Sequence, residues 1–166
     1  MARASTIALC SVLVGGACTY RPCADGPTPL IGPLQSHATP AQAKAILRPT
    51  YWAVESERPG PTDGRPPFNF TTIDAGDLVD LEHAGQLKLI FYNGRLSQAR
   101  FTPKDPDSYF AAIQRLPGAS LLEGRIVSLG SNTRVWRVGA SSNGPIIEWY
   151  DDCLRADQDS WIKHYS

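Results

Sequence analysis

The sequence has no surplus of charge of either sign. Lys plus Arg and Asp plus Glu number 16 each among 166 residues, and no run of basic residues stands out. Nucleic-acid sites and contacts with anionic lipid are both built from clustered positive charge. The composition therefore predicts no nucleic-acid partner and no polybasic grip on a membrane.

Short catalytic and cofactor motifs are also missing. The chain has no P-loop, no dinucleotide-binding glycine fingerprint, no nucleophile elbow and no zinc-ligand spacing. We therefore predict no metal and no cofactor. Missing motifs do not exclude an enzyme, so enzymatic activity stays open, although a non-enzymatic role is favoured.

Apolar runs are scarce outside the first residues. After Arg3, a short apolar stretch runs to the small residues Gly15-Gly16-Ala17, which is the pattern of a signal peptide. As a helix, residues 5–17 would span about 20 Å, less than the roughly 30 Å hydrocarbon core. Residues 1–17 are thus predicted to be a removable export signal, and no later stretch is apolar enough to span a bilayer.

The end of this segment, Gly16-Ala17-Cys18, resembles the lipobox of bacterial lipoprotein precursors. Gly15 departs from that pattern, which usually has Leu or another aliphatic residue there. The resemblance implies lipid on Cys18, and Thr19 after it implies sorting to the outer membrane, facing the periplasm. Ordinary signal-peptidase cleavage after Ala17 also fits, and an uncleaved anchor or a cytosolic protein are further alternatives.

Cysteine parity agrees with lipidation. Cys10 leaves with the signal, and a lipidated Cys18 leaves two thiols, Cys23 and Cys153, free to pair in an oxidising compartment. We predict a disulfide between them that ties the N-terminal region to the last helix. The alternative is two unrelated cysteines, one in a flexible tail and one buried.

The mature chain is predicted to be a spacer followed by one domain. Residues 18–38 are rich in Pro and Gly, which is typical of a spacer behind a lipid anchor. Residues 39–166 are predicted to form a single small α+β domain, an antiparallel sheet of hairpins and a meander covered by two or three helices. The segments FYNGRL and EWYDDCL resemble small uncharacterised bacterial envelope proteins, and this resemblance carries no functional residues.

Local signals place the elements of this domain. Asn93-Gly94 between two apolar runs predicts a two-residue hairpin turn. Helices are predicted to start at Thr39-Pro40, at Asp105-Pro106 and at Asp151 or Asp152. Strands are predicted over Tyr51–Glu55, Phe68–Ile73, Leu87–Tyr92, Arg95–Phe101, Glu123–Leu129, Thr133–Gly139 and Pro145–Tyr150. The last helix is predicted to bury a stripe of Leu154, Gln158, Trp161, Ile162 and Tyr165.

The densest group of polar side chains comprises Asp74, Asp77, Asp80, Glu82 and His83. Carboxylates with a histidine are ligands for hard metals and partners in acid–base catalysis. Five such residues spread over ten positions cannot all converge without a special loop. We therefore favour a solvated short helix or turn here, with Asp74 or Asp77 as its cap.

Two functions from different classes follow. The first is an envelope lipoprotein anchored through Cys18 that binds or scaffolds another envelope component, a protein or a glycan, without catalysis. The second is a small secreted or periplasmic hydrolase acting on an envelope component. The hydrolase would depend on the acidic group or on Glu148 with Asp152.

Overall fold

Eight strands form one antiparallel sheet in the computed structural model, in the order β1-β2-β3-β4-β8-β7-β6-β5. The structure describes residue 20 and residues 22–47, 53–141 and 144–166. The elements are α1 (Pro40–Leu47), β1 (Ala53–Arg58), β2 (Phe70–Asp80), β3 (His83–Tyr92), β4 (Arg95–Pro103), α2 (Pro106–Gln114), β5 (Ala119–Leu121), β6 (Ile126–Leu129), β7 (Thr133–Ser141), β8 (Gly144–Asp151) and α3 (Asp152–Tyr165). The predicted fold class, a single small α+β domain with a meandering antiparallel sheet, is confirmed.

Turn and cap residues lie where the local sequence predicts them. Asn93 and Gly94 both have positive φ, 49° and 74°, which a two-residue hairpin turn requires. Asp105 caps α2 by accepting a hydrogen bond from the backbone N–H of Ser108. Asp151 caps α3 in the same manner, so both helices begin at the predicted positions.

One face of the sheet carries the hydrophobic core. One row of residues that are paired from strand to strand is buried across six strands of the sheet. In sheet order from β2 through β8 to β6, this row consists of Ile73, Leu89, Ala99, Trp149, Val135 and Val127. Helices α1 and α2 cover this face, mainly through Leu47, Tyr109 and Ile113. Side chains alternate between faces along a strand, so the row fixes the register of the whole sheet.

The neighbouring row faces the other way and is largely charged. Asp74, Lys88, Arg100 and Glu148 lie side by side on four strands, and they form the ion pairs Lys88–Asp74 at 3.0 Å and Arg100–Glu148 at 2.8 Å. Helix α3 covers another part of this second face, over Tyr92 and Tyr150. Neighbours such as Phe91 and Tyr92 are therefore both buried, one in the core and one on the α3 side.

Segment 22–38 corrects the predicted spacer. Leu30, Ile31 and Leu34 are at most 3% exposed and belong to the main core, and the backbone N–H of His37 donates to Leu96 at 2.9 Å. Proline and glycine counts do not reveal these three apolar side chains docking on the sheet. The folded domain therefore includes residues 22–38 as well as the predicted 39–166.

Two other local predictions are wrong. The acidic stretch predicted as a short helix or turn lies mostly in β2, which continues to Asp80. Buried residues recur along this strand between less buried ones, at Ile73, Ala75, Leu78 and Asp80. In α3, Ile162 is 47% exposed, whereas Asp157 is buried beside Leu154 and Trp161. Because Asp157 is charged, a pattern based on hydrophobicity alone does not place it on the buried face of α3.

In the part of the chain that the structure describes, none of the three helices has the length and apolar character needed to cross a bilayer. The predicted signal, cleavage site and Cys18 lie outside the described residues.

Candidate functional site

The five residues of the acidic group do not converge. Asp77 and Glu82 are exposed, and Asp74 is paired with Lys88 on the second face of the sheet. Only Asp80 and His83 share a neighbour, Tyr109, whose ring lies 5.6 Å from the His83 ring. The group is thus divided between both faces and the β2–β3 turn.

Each carboxylate near the start of α3 has its own partner. Glu148 pairs with Arg100, and Asp152 pairs with Arg134 at 2.9 Å. Asp151 caps the helix. Glu148 and Asp152, the pair on which the predicted hydrolase would depend, are thus each bonded to a different arginine.

Cys23 and Cys153 are brought together. Their Cα atoms lie 5.4 Å apart and their sulfurs are bonded, across a sequence separation of 130 residues. This disulfide-capable pair joins segment 22–38 to the first turn of α3, as the sequence predicts.

A cavity of about 920 Å³ lies at one end of the core face. Four loops and ends form its walls: residues 25–32, the β2–β3 turn, the end of α2 and the β6–β7 turn. Its lining is Asp25, Gly26, Pro27, Thr28, Pro29, Leu30, Gly32, Asp80, Leu81, Leu116, Pro117, Leu129, Gly130, Ser131, Asn132 and Trp149. The lining mixes apolar and polar groups in similar measure, and roughly 300–1,000 Å³ is the usual size of a small-molecule site.

Asp80 supplies the buried acid of this cavity. It is 8% exposed, and its Oδ2 accepts a hydrogen bond from the Tyr109 hydroxyl at 2.6 Å. Burial raises the pKa of Asp80, while the hydrogen bonds from Tyr109 and from the Gly32 backbone oppose that rise. Burial, with Asp80 alongside, also raises the pKa of Tyr109, so this phenol remains a hydrogen-bond donor.

The turn that presents Asp80 is strained. Leu81 and Glu82 have φ values of 47° and 67°, a region that favours glycine and asparagine. Strain of this kind persists only where surrounding contacts over-determine the backbone, and it is concentrated at functional sites. Leu81 also lines the cavity, so the strained turn forms part of its wall.

Hydrogen bonds hold segment 25–32 in place along the opposite wall of the cavity. The Thr28 hydroxyl lies 2.6 Å from that of Thr133, and the Asn132 amide donates to Asp25 Oδ2 at 3.0 Å. Thr133 also donates to the Pro29 carbonyl at 2.7 Å. These bonds hold a segment without regular secondary structure in one position, so the cavity is pre-formed.

The indole nitrogen of Trp149 is a buried polar atom at the floor of the cavity. Trp149 is 3% exposed, and its Nε1 has no hydrogen-bond acceptor among the described residues. The Trp149 N–H also lowers the pKa of Tyr109, opposing the effect of burial, so the two groups interact.

The ionisable side chains that line the cavity are all acidic. Asp25 and Asp80 are the ionisable residues in its lining, which includes no Lys, Arg or His. An anionic ligand would meet two carboxylates and no cation. A neutral or cationic ligand with hydrogen-bond donors would find acceptors on these carboxylates and on Thr28, Ser131 and Asn132.

Comparison with known proteins does not assign the chain to a family. No family model matches the chain, and a comparison with curated proteins finds no significant match.

Sequence reasoning found Asp80 but missed its partners. Tyr109 lies in the helix predicted to start at Asp105-Pro106 and Trp149 in the predicted strand Pro145–Tyr150, and both side chains are buried. Nothing in a linear pattern indicates that a residue at position 80 meets residues 109 and 149. The sequence pointed to Asp80 only as one member of the acidic group that was interpreted as a short helix or turn.

Proposed function

We propose that this chain is an exported envelope lipoprotein whose domain binds a small neutral or cationic ligand in the cavity beside Asp80. The observation that carries the binding role is a pre-formed cavity of about 920 Å³ with a buried acid and no basic residue in its lining. A hydroxyl-rich or amine-bearing fragment of an envelope glycan has the required chemistry. The role is non-enzymatic, with the membrane as the second partner through lipid on Cys18.

The position of segment 22–38 supports a close tether. Tyr20 donates from its hydroxyl to the buried Asp157 at 2.6 Å, and the Cys23 backbone N–H donates to the same carboxylate at 3.1 Å. Cys18 is two residues before Tyr20, a reach of at most about 7 Å. In the proposed lipoprotein, the domain lies against the membrane surface instead of at the end of a long spacer.

Ligand titration tests the binding role. Neutral disaccharides, amino sugars and acidic sugars are titrated into the full chain and followed by calorimetry and by Trp fluorescence. We expect binding of amino or neutral sugars and much weaker binding of acidic ones. Loss of a hydrogen bond to a charged group costs about 1.5–3 kcal/mol, so Asp80→Asn should weaken binding about ten- to a hundredfold.

Asp77→Asn is the matched control, because Asp77 is an exposed acid on the same strand. It should bind like the unmodified chain. Equal affinity for acidic and amino sugars, or unchanged affinity in Asp80→Asn, would contradict the assignment of the cavity. Mass spectrometry of the mature N-terminus tests the lipoprotein separately, since a Met1-containing chain without lipid excludes it.

One observation favours the hydrolase as a second candidate. A buried acid of raised pKa in a cavity is the kind of group that acts as a general acid. The same sugar panel distinguishes the two functions if products are followed over time. Turnover that disappears in Asp80→Asn supports a hydrolase, and ligand recovered intact supports binding alone.

A further inference from the structure

A second polar cluster lies away from the cavity, where segment 22–38 meets the start of α3. Cys23, His37 and Asp151 each place one sulfur, nitrogen or oxygen atom within 4.8 Å of the others. Cys153 is bonded to Cys23, so a second sulfur lies next to this group. Thiolate, imidazole and carboxylate are the ligand types that zinc takes in proteins.

His37 is held with a nitrogen that lacks a partner. Its backbone has a φ of 65°, and it is fixed by the hydrogen bond from its N–H to the Leu96 carbonyl at 2.9 Å. Its Nε2 is shielded from solvent, has no hydrogen-bond partner in the described chain and lies 3.6 Å from Asp151 Oδ2. A shielded nitrogen in this state is free to coordinate an ion.

Asp151 is held rigidly in the same place. Its side chain is fully buried, and Oδ1 accepts from the backbone N–H groups of Cys153 and Leu154 at 2.9 and 3.1 Å. Oδ2 accepts from the Ser36 hydroxyl at 2.6 Å. A carboxylate oxygen has two lone-pair sites, so Oδ2 keeps one for a metal while Ser36 orients it.

We propose that these four side chains form a Zn²⁺ site that is assembled when the Cys23–Cys153 disulfide is reduced. A dithiol supplies two electrons and two protons, becomes a disulfide itself and leaves two thiols. Zn²⁺ then displaces the two thiol protons and is coordinated by two sulfurs, His37 Nε2 and Asp151 Oδ2. The oxidised pair has no thiolate to offer, so the redox state of the cysteines controls metal binding.

The metal has a route from solvent. His37 lines a groove of about 490 Å³ between segment 27–38 and α1, bordered by Pro27, Gln35 and Gln42. The groove is distinct from the Asp80 cavity, apart from Pro27, which borders both. The site is therefore independent of the proposed ligand.

Zinc binding to oxidised and reduced protein tests the proposal. The full chain carrying Cys10→Ser and Cys18→Ser keeps only the two relevant cysteines. It is reduced with a phosphine, which takes oxygen from water, and the reagent is removed without air. Competition with a zinc chelator should give one tight site per reduced chain and none per oxidised chain. Co²⁺ in place of zinc should produce a thiolate charge-transfer band.

Three substitutions of proposed ligands and one control at a distant histidine test which side chains bind zinc. His37→Ala should lower the zinc affinity at least about tenfold, while His164→Ala, an exposed histidine at the end of α3, should not change it. Asp151→Asn keeps a good helix cap and should also weaken zinc. Cys153→Ser cannot form the disulfide and should bind zinc, more weakly, without reductant.

Several results would overturn the site. These are no zinc bound by the reduced chain, equal binding by the oxidised chain, or unchanged affinity in His37→Ala. If reduction unfolds the apoprotein, zinc should restore its near-UV circular dichroism and raise its Tm. Failure of zinc to restore the fold would equally reject the proposal.

Discussion

Asp157 is the buried acid on which the attachment of the N-terminal segment depends. It is 1% exposed, and its carboxylate accepts from Tyr20 at 2.6 Å, from the Cys23 backbone at 3.1 Å and from Arg95 at 3.1 Å. Tyr92 adds a longer bond at 3.3 Å. Replacing Asp157 with Asn keeps the shape and removes the charge.

The cost of Asp157→Asn follows from these contacts. Breaking a buried ion pair costs about 3–5 kcal/mol, but Arg95 is 29% exposed and is partly rescued by water, so we expect about 2–4 kcal/mol. A domain of this size changes its Tm by about 3 °C per kcal/mol, so Tm should fall by about 6–12 °C. Urea and thermal unfolding followed by circular dichroism measure both quantities.

Asp159→Asn is the matched control, because Asp159 is exposed on the same helix. It should change stability by less than about 0.5 kcal/mol. Tyr20→Phe alone should cost about 1 kcal/mol and much less when combined with Asp157→Asn. The reasoning is refuted if the Asp157 and Asp159 variants are equally stable, or if the Tyr20 and Asp157 effects simply add.

Three further changes test the fold. Gly85→Ala would place a Cβ 2.5 Å from the Thr102 carbonyl oxygen, so it should destabilise by about 1–3 kcal/mol in thermal unfolding. Replacing Cys23 and Cys153 together with Ser opens a long loop and should cost about 2–5 kcal/mol in urea unfolding. The pKa of Asp80 is raised in the folded state, so its burial opposes folding increasingly as pH rises from its usual 3.8 through the folded pKa. Asp80→Asn should therefore gain stability over the native chain across that window, and the two should converge below it.

A specific outcome would contradict each of these three predictions. Gly139 has no atom within 4 Å of an added Cβ, so Gly139→Ala should be tolerated; equal losses in the two glycine variants would exclude the clash. Unchanged stability after loss of the cysteines would mean that segment 22–38 is held by its other contacts. A difference between Asp80→Asn and the native chain that is flat with pH would mean that Asp80 does not titrate with an altered pKa.

Local chemistry alone determined much of this protein. The Asn93-Gly94 turn, the Asp105 and Asp151 caps and the apolar alternation of the strands act within a few residues, so their sequence patterns predict the elements and the α+β class. The Cys23–Cys153 pair was predicted from cysteine parity under the lipobox resemblance, which assigns Cys18 to lipid and leaves these two thiols.

Tertiary structure decided the rest, because the deciding contacts join residues far apart in the chain. Burial raises the pKa of Asp80 while the hydrogen bond from Tyr109 opposes that rise, and Asp157 is buried because Tyr20 and Arg95 satisfy its charge. Segment 22–38 is Pro- and Gly-rich and yet part of the core. Its few apolar side chains contribute free energy only against a sheet assembled from residues much later in the sequence. Composition records which groups a segment carries, whereas their burial and partners are fixed only when the whole chain folds.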